Sequence, residues 1–348
     1  MENSSDKRKG RKMTWAKTAF LLLLVIGTIV IIRQQQPPAY RHSKGVVFGT
    51  TYSVTYQSKD DLQKDIETAM TEVDNSLSMF NDSSTISKVN RNAGMTPDSM
   101  FLHVFHLAMN VSRETGGAFD ITVAPLVNAW GFGFKSGINP TQKDIDSLLA
   151  FIGYEKITYD ESKGIIAKSD PRVMLDCSAI AKGYGSDHVA DMFKRKGIAN
   201  FMIEIGGEVV ANGVNNKGTA WRIGIAKPDD DTLALKHDVQ NVISVSGRAV
   251  ATSGNYRNYY IKDNKKYAHT IDPASGRPVQ HSLLSATVMA DDCATADAYA
   301  TAFMVMGVDK AKAVLEHHPE LAAYLIYTGD GGGYDVWMSP EIKDAIIE

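Results

Sequence analysis

Cysteine is nearly absent: the 348 residues contain two, Cys177 and Cys293. That excludes a fold stapled by a disulfide framework. Both cysteines fall in segments read below as active-site segments, and two small buried thiols are preferred to a bond between them. The common catalytic signatures are missing too: no GxxxxGK[ST] phosphate loop, no HExxH, no CxxC and no GxSxG occurs. Gly131-Phe132-Gly133 and Gly206-Gly207 are too short for a dinucleotide fingerprint. Of nine histidines, only His103 and His106 stand at metal-ligand spacing, and they sit on an amphipathic helical pattern that places them at the surface. Zinc and iron therefore find no ligand set. From Val46 onward there is no Ser/Gly-rich linker, charge block or repeat, so one domain of about 300 residues accounts for the rest.

Net positive charge is confined to one short stretch. Residues 1–17 carry Lys7, Arg8, Lys9, Arg11, Lys12 and Lys17 against Glu2 and Asp6, a net +4; with −3 overall, the remaining chain is −7. A folded part that acidic speaks against nucleic-acid binding, which needs a basic face. The basic head is followed by the uncharged run Thr18–Ile32, closed by Arg33. Positive flanks hold an amino terminus in the cytoplasm. Counting Trp15 and Ala16, with Lys17 snorkelling, the run nears the ~20 residues a span requires. Ile31-Ile32-Arg33-Gln34-Gln35-Gln36 has no small-x-small cleavage site, so an uncleaved signal anchor is preferred to a cleaved signal peptide. Residues 1–33 are read as cytoplasmic head and anchor, 34–44 as a linker stiffened by Pro37-Pro38, and 45–348 as a domain outside the cytoplasmic membrane, in the periplasm.

Periodicity within the domain is mixed. Leu62, Ile66, Ala69, Val73 and Leu77 mark one helical face. Further helices are expected over 99–114, 141–151, 179–196, 294–306 and 309–317, the first closing at Gly116-Gly117. Strands are expected over 46–48, 52–56, 154–159, 200–205, 208–212, 221–225, 242–246, 257–262, 284–290, 322–327 and 334–338. Strands that follow one another without an intervening helix favour α+β over a doubly wound parallel sheet.

Five stretches are more polar or glycine-dense than a core requires. In Gly116–Leu126, followed by Trp130-Gly131-Phe132-Gly133, the glycines allow close backbone approach, and Phe119 with Trp130 could wall a ring; a helix cap and buried turn fits as well. In Leu175–Tyr184, Asp176 stands between a strand and a helix, a place suited to anions or to plain capping, and Lys182 lies within reach of a phosphate. Ala249–Tyr256 reads as a loop rich in hydroxyls, and Tyr267–Pro278 combines His269 with a tight Asp-Pro-x-x-Gly turn. Lastly, Asp297 and Thr301 are spaced i, i+4 on an Ala- and Met-rich helix and so share a face. A buried carboxylate needs a cation or strong donor, and a hard oxygen pair suits Mg²⁺; helix capping is the competing use of the same residues.

In order along the chain, Gly49-Thr50-Thr51-Tyr52, Ser78–Ser87, GAFDITVAPLVNAWGFG, DCSAIAKGYGSD, GGE, ATSGNY, HTIDPASGRP and ADAYATA resemble the ApbE family, the FAD:protein FMN transferases. Phe48 stands where methionine is usual, and Cys177 where an apolar residue is common. The resemblance implies a single compact α+β, T-fold-like domain. It implies Mg²⁺ held by Asp297, Thr301 and the Ala179 carbonyl against the FAD pyrophosphate. Flavin and adenosine contacts would fall to Phe48, Phe80, Ala118, Phe119, Asp120, Asp176, Lys182 and His269, with His269 or Asp176 as the base. FMN would pass to a threonine hydroxyl of an acceptor protein with release of AMP. The acceptor tetrad S/T-G-A-T is absent from this chain, so the acceptor acts in trans; membrane subunits of Nqr- or Rnf-type complexes are what the resemblance suggests. Two other readings keep the site: an FAD pyrophosphatase using water, and a tethered flavin-binding protein without turnover.

Overall fold

The computed structural model describes residues 15, 17–28, 37–133, 140–228, 239–255, 259–262, 265–329, 331 and 333–347, with 259–262 and 265–268 described as backbone only. Residues 1–14 of the basic head, the end of the apolar run, residues 34–36 of the expected linker, Tyr256 and the start of the strand expected at 257 lie outside these residues. The chain divides into two units, Met1–Tyr40 and Arg41–Glu348. In the first, α1 (residues 17–28) is helical. Among the described residues no helix is long and apolar enough to cross a membrane.

The hairpin β1 (Tyr40–Val47) and β2 (Thr50–Gln57), which from Arg41 onward belongs to the second unit, comes first, so β1 begins within the expected linker. Helices α2 (Gln63–Leu77), α3 (Thr85–Asn90), α4 (Ser99–Glu114), α5 (Ala124–Ala129) and α6 (Gln142–Leu149) follow, then the ribbon β3 (Ile157–Asp160) and β4 (Ile165–Lys168). After α7 (Ala181–Arg195) come β5 (Phe201–Ile205), β6 (Glu208–Asn212), β7 (Trp221–Ala226), β8 (Val239–Val245), β9 (Arg248–Gly254), β10 (Tyr259–Lys262), β11 (Lys265–Ala268), β12 (Ile271–Asp272), β13 (Arg277–Pro278) and β14 (Leu283–Ala290). The chain closes with α8 (Cys293–Met306), α9 (Val308–Leu315), β15 (Ala322–Thr328), β16 (Tyr334–Met338) and α10 (Pro340–Ala345). Eight strands form one sheet in the order β1-β2-β5-β6-β9-β14-β15-β16, and every registered pair from β2 to β16 is antiparallel. This is the α+β arrangement expected from strands that succeed one another directly.

Two core clusters support it. One joins Phe101, Val104, Phe105, Ala108 and Val111 of α4 to the Ala-rich α8 and to β14. The other joins Tyr56, Ile66, Phe193, Phe201 and Ile203 across α2, α7, β2 and β5. Fully burying an aliphatic or Phe side chain of this size stabilises by roughly 1.5–3 kcal/mol. Helix α4 shows why the boundaries fall where they do. Asp98 caps it by accepting from Phe101 N–H (2.9 Å). It stops at Gly116, which takes φ +60°, with Gly116 N–H donating to Arg113 O and Gly117 N–H to Ser112 O. That pair of bonds is a Schellman termination.

The stretch 249–254, expected as a loop, is the interior strand β9. Its small residues are what an Ala-rich helix needs in order to lie close: Ala249 and Ala251 are fully buried, and α8 packs on β9 and β14. Its hydroxyls are used across the sheet, Thr252 Oγ1 lying 2.9 Å from Thr287 Oγ1.

Candidate active site

Two hairpin tips start the site. The β1–β2 turn is Phe48-Gly49 with φ +51° and +73°, and the β5–β6 turn is Gly206-Gly207 with φ +65° and +107°. Two-residue turns with both φ positive match the twist of their strands. Because β2 and β5 pair with Tyr52 opposite Ile205, both tips lie at the same end of the sheet, and Gly206 N–H donates to Thr51 O (3.0 Å). Phe48 carries a left-handed conformation that disfavours side chains by about 1–2 kcal/mol. Its ring lies over Gly185 of α7, where an added Cβ would fall 2.7 Å from Phe48 Cε2. The second tip delivers Glu208, the first residue of β6.

Helices α7 and α8 cross in close contact at Gly183, where a Cβ would meet the Cys293 carbonyl oxygen at 2.3 Å. Asp187 of α7 reinforces the crossing by accepting from Cys293 N–H and Ala294 N–H, both at 2.8 Å. The closeness lets Gly183 N–H donate to Asp297 Oδ2 (3.2 Å). In a continued α-helix that donor would serve the Ala179 carbonyl four residues earlier. Lys182 Nζ sits between two carboxylates, 2.7 Å from Glu208 Oε1 and 3.6 Å from Asp297 Oδ2. Glu208 is 3% exposed and Asp297 2% exposed. One turn beyond Asp297, Thr301 Oγ1 lies 3.3 Å from Ser253 Oγ of β9. The Asp297/Thr301 pair thus shares a face, as the spacing requires.

The electrostatics follow from two buried acids sharing one ammonium. Burial first, and the charge of Asp297 second, push Glu208 up to about 8 against the pull of Lys182. For Lys182, burial acts downward, but Asp297 and Glu208 outweigh it and hold the ammonium above the ordinary lysine range. The sign for stability is fixed by the raised acid: the folded state holds a proton that the unfolded chain releases near 4.5. Its stabilising effect is complete below that value and is lost as pH rises through about 8. Metal-free protein should therefore melt at progressively lower temperature, relative to a Glu208→Gln variant, between pH 5 and 8. Parallel melting curves for the two proteins over that range would remove the assignment.

A second group of residues lies alongside. Asp176 N–H donates to Ile121 O (2.7 Å), which sets Asp120 and Asp176 on neighbouring segments. Asp120 braces its own loop: Oδ1 accepts from Thr122 N–H (2.8 Å) and Oγ1 (2.7 Å), and Oδ2 from Tyr154 N–H (2.8 Å). Burial pushes its carboxyl up while those bonds pull it down. Asp120→Ala leaves two buried N–H groups unmatched and should cost about 2–4 kcal/mol, read as a fall in denaturation midpoint; an unchanged midpoint would refute the bracing role. Asp176 is half-buried, and burial raises its carboxyl. It does not cap α7 directly. Helix α7 starts only at Ala181, and Asp176 Oδ1 instead accepts from Ser178 N–H (2.8 Å) and Oγ (2.5 Å), closing the turn that holds Ala179.

Other expected residues are placed differently from one another. Phe80 is exposed, Ala118 half-buried, and His269 half-buried with its ring 6.4 Å from that of Phe132. Phe119 is buried in the core, and Trp130 is buried with its indole N–H donating to Gly276 O (2.8 Å). The ring wall expected from these two does not form, because both side chains close the interior. His103 and His106 are exposed on α4, as expected. Cys177 and Cys293 are free buried thiols, raised by burial. Glu208 was not among the expected site residues. Its signal was the acid directly after a Gly-Gly turn at a strand start, a position the sheet buries.

Among the described residues no group of three or more His, Cys, Asp or Glu side chains is placed to hold a metal ion. What the site offers is a carboxylate, a hydroxyl one turn on and a loop whose carbonyls are near the helix start, a hard-oxygen set. An ammonium beside them adds the means to bind an anionic phosphate. The residues present are thus able to take a phosphate-bearing ligand.

A family model described as "ApbE family" matches residues 48–325. The chain is 36% identical over 321 residues to the FAD:protein FMN transferase of Vibrio cholerae, covering 89% of this chain and 94% of that protein. It is 38% identical over 303 residues to the protein of the same name from Haemophilus influenzae, covering 83% and 86%. The solved flavin transferase ApbE from Vibrio cholerae superposes with a TM-score of 0.79 at 35% identity, over 89% of this chain and all of that one. The flavinyl transferase ApbE of Pseudomonas stutzeri superposes at 0.78 with 29% identity, over 89% and 98%. The chain belongs to the ApbE family.

Proposed function

We propose that this protein is an FAD:protein FMN transferase that moves FMN from FAD to a threonine hydroxyl of an acceptor protein and releases AMP. The observation that carries the reading is the Asp297/Thr301 face of α8 set beside Lys182 and the Ala179 turn. Mg²⁺ fits this donor set, with Asp297, Thr301 and the Ala179 carbonyl as its holders, and when bound it would supply charge neutralisation at the diphosphate. The diversion of Gly183 N–H to Asp297 supports the Ala179 carbonyl in that role.

The chain's own residues do the rest. Lys182 adds a positive charge where the diphosphate would lie. Phe48 at its hairpin tip, Phe80, Ala118 and the backbone at Phe119 and Asp120 offer the flavin and adenosine contacts. In the transfer, the threonine oxygen bonds to the FMN phosphorus while the bond to the AMP oxygen breaks. The hydroxyl proton passes to His269 or Asp176, whose raised carboxyl is suited to holding one. Positioning and charge neutralisation supply most of the acceleration in phosphoryl transfer. Membrane subunits of Nqr- or Rnf-type complexes are the proposed acceptors. The exposed apolar side chains Phe20–Ile26 on α1, after a basic head, support a single-pass anchor in the bacterial cytoplasmic membrane with the domain in the periplasm.

The test is incubation of the full chain with FAD, Mg²⁺ and a threonine-bearing acceptor domain, read by mass spectrometry. A mass gain of one FMN on the acceptor is the expected result. Free FMN and AMP without acceptor labelling would make the protein an FAD pyrophosphatase, and unchanged FAD would make it a flavin-binding protein.

A further inference from the structure

The proposed function leaves Glu208 without a role, and its surroundings call for one. It is an acid buried to 3% exposure, fixed on a rigid hairpin start by pairing with Ile205 and by Ser186 Oγ donating to its backbone carbonyl (3.2 Å). One of its oxygens, Oε1, holds Lys182. The other, Oε2, is buried with no hydrogen-bond partner among the described residues. An unmatched buried acid oxygen is costly and calls for an explanation, of which a donor that reaches it in another state of the site is one. The donor at hand is the Lys182 ammonium, whose three N–H groups now divide between Glu208 at 2.7 Å and Asp297 at 3.6 Å. Of the three side chains Lys182 is the open one, 28% exposed on a flexible stem, while the two acids are held at 4% and 3%.

We propose that Lys182 and Glu208 form a cation-exchange pair for Asp297: the ammonium keeps the place of the divalent cation in the metal-free protein, and Glu208 receives it when the cation arrives. Without Lys182, two buried acids would face each other uncompensated. Without Glu208, the ammonium would have Asp297 as its sole partner and would compete with the metal at its principal ligand. Glu208 is therefore a positioning residue, acting on Asp297 through Lys182. The inference rests on the metal reading of Asp297 given above.

The two can be separated by titrating full-length protein with Mn²⁺ alone, free metal being followed by electron paramagnetic resonance, with no FAD present. Wild type should bind one Mn²⁺ that Asp297→Asn removes. Glu208→Gln should weaken that binding tenfold or more, Glu208→Asp should recover part of it, and Lys182→Met should tighten it. The double variant Lys182→Met/Glu208→Gln should bind at least as tightly as wild type, because the competing ammonium is gone. Opposite signs for the two single variants cannot arise from a merely structural role, and circular dichroism confirms that each variant is folded. If wild type and Asp297→Asn bind alike, or neither binds, the metal reading falls and the exchange pair with it. If Asp297→Asn abolishes binding but Glu208→Gln matches wild type, the metal reading stands and the exchange pair is refuted. Weaker binding in Lys182→Met would also overturn it, by making the lysine an aid to the metal rather than its stand-in.

Discussion

Asp297→Asn should lose FMN transfer on the order of a thousandfold while keeping its fold, and its metal-free melting temperature should equal or exceed that of wild type. The activity loss follows from replacing the charged oxygen that would anchor the cation with a neutral amide, removing stabilisation exerted where charge develops. The stability follows from the same charge. In the native site one ammonium serves two buried acids, Lys182 lying between Glu208 and Asp297. Removing the charge of Asp297, which pushes Glu208 up, lets Glu208 ionise more readily and match Lys182, and the asparagine oxygen can still accept from Gly183 N–H. A carboxylate kept for binding rather than for stability should behave this way, whereas a structural ion pair should cost several kcal/mol when broken. Two readouts settle it. Transfer is followed by acceptor mass, and thermal unfolding is followed with and without Mg²⁺, which should raise the wild-type midpoint and leave that of the variant unmoved. Wild-type turnover in the variant would remove Asp297 from the metal site.

What could be read from the residues, and what could not, divides along physical lines. Helix α4 is legible because Asp98, a 3.6-residue apolar period and Gly116 are all local signals, and the helix occupies Ser99–Glu114 as expected. Asp297 and Thr301 are legible as a pair because helical spacing alone puts them on one face. Strand β9 is not, since Ala and Gly have weak strand preference and only the neighbouring α8 explains why small residues are needed there. Phe119 and Trp130 look like ring-binding aromatics in a glycine-rich stretch, but whether an aromatic faces a ligand or the core depends on packing from distant segments; Trp130 bonds to Gly276, 146 residues away. Glu208 escapes for the same reason. Its partners Lys182 and Asp297 come from two different helices, and the burial that makes it costly exists only once the sheet is assembled.

Gly183→Ala should be the most damaging small substitution in the site, and its sign runs against local preference. Within a helix, alanine is ordinarily favoured over glycine by about 1 kcal/mol. Here the new Cβ would stand 2.3 Å from the Cys293 carbonyl oxygen, 2.7 Å from its carbon and 2.8 Å from Ala294 Cα. All three are backbone atoms of the first turn of α8, a turn held to α7 by Asp187, so no side-chain rotation relieves the clash. The helices must separate, at a cost of about 1–3 kcal/mol or somewhat more for overpacking, which should lower the melting temperature by several degrees. The same displacement moves Lys182, on α7, away from Asp297, on α8, and breaks the Gly183–Asp297 bond. A misplacement near 1 Å can cost about a hundredfold in rate, so transfer should fall by that order even in the protein that remains folded. Gly185→Ala is the internal control. Its Cβ meets the ring of Phe48 at 2.7 Å, a side chain at a hairpin tip that can swing aside, and its loss of stability should be clearly smaller. Thermal melts and transfer rates for the two variants, measured side by side, decide the matter. Equal melting of Gly183→Ala and wild type would mean that the α7–α8 crossing is looser than the close approach at Gly183 requires, and that the site does not depend on it.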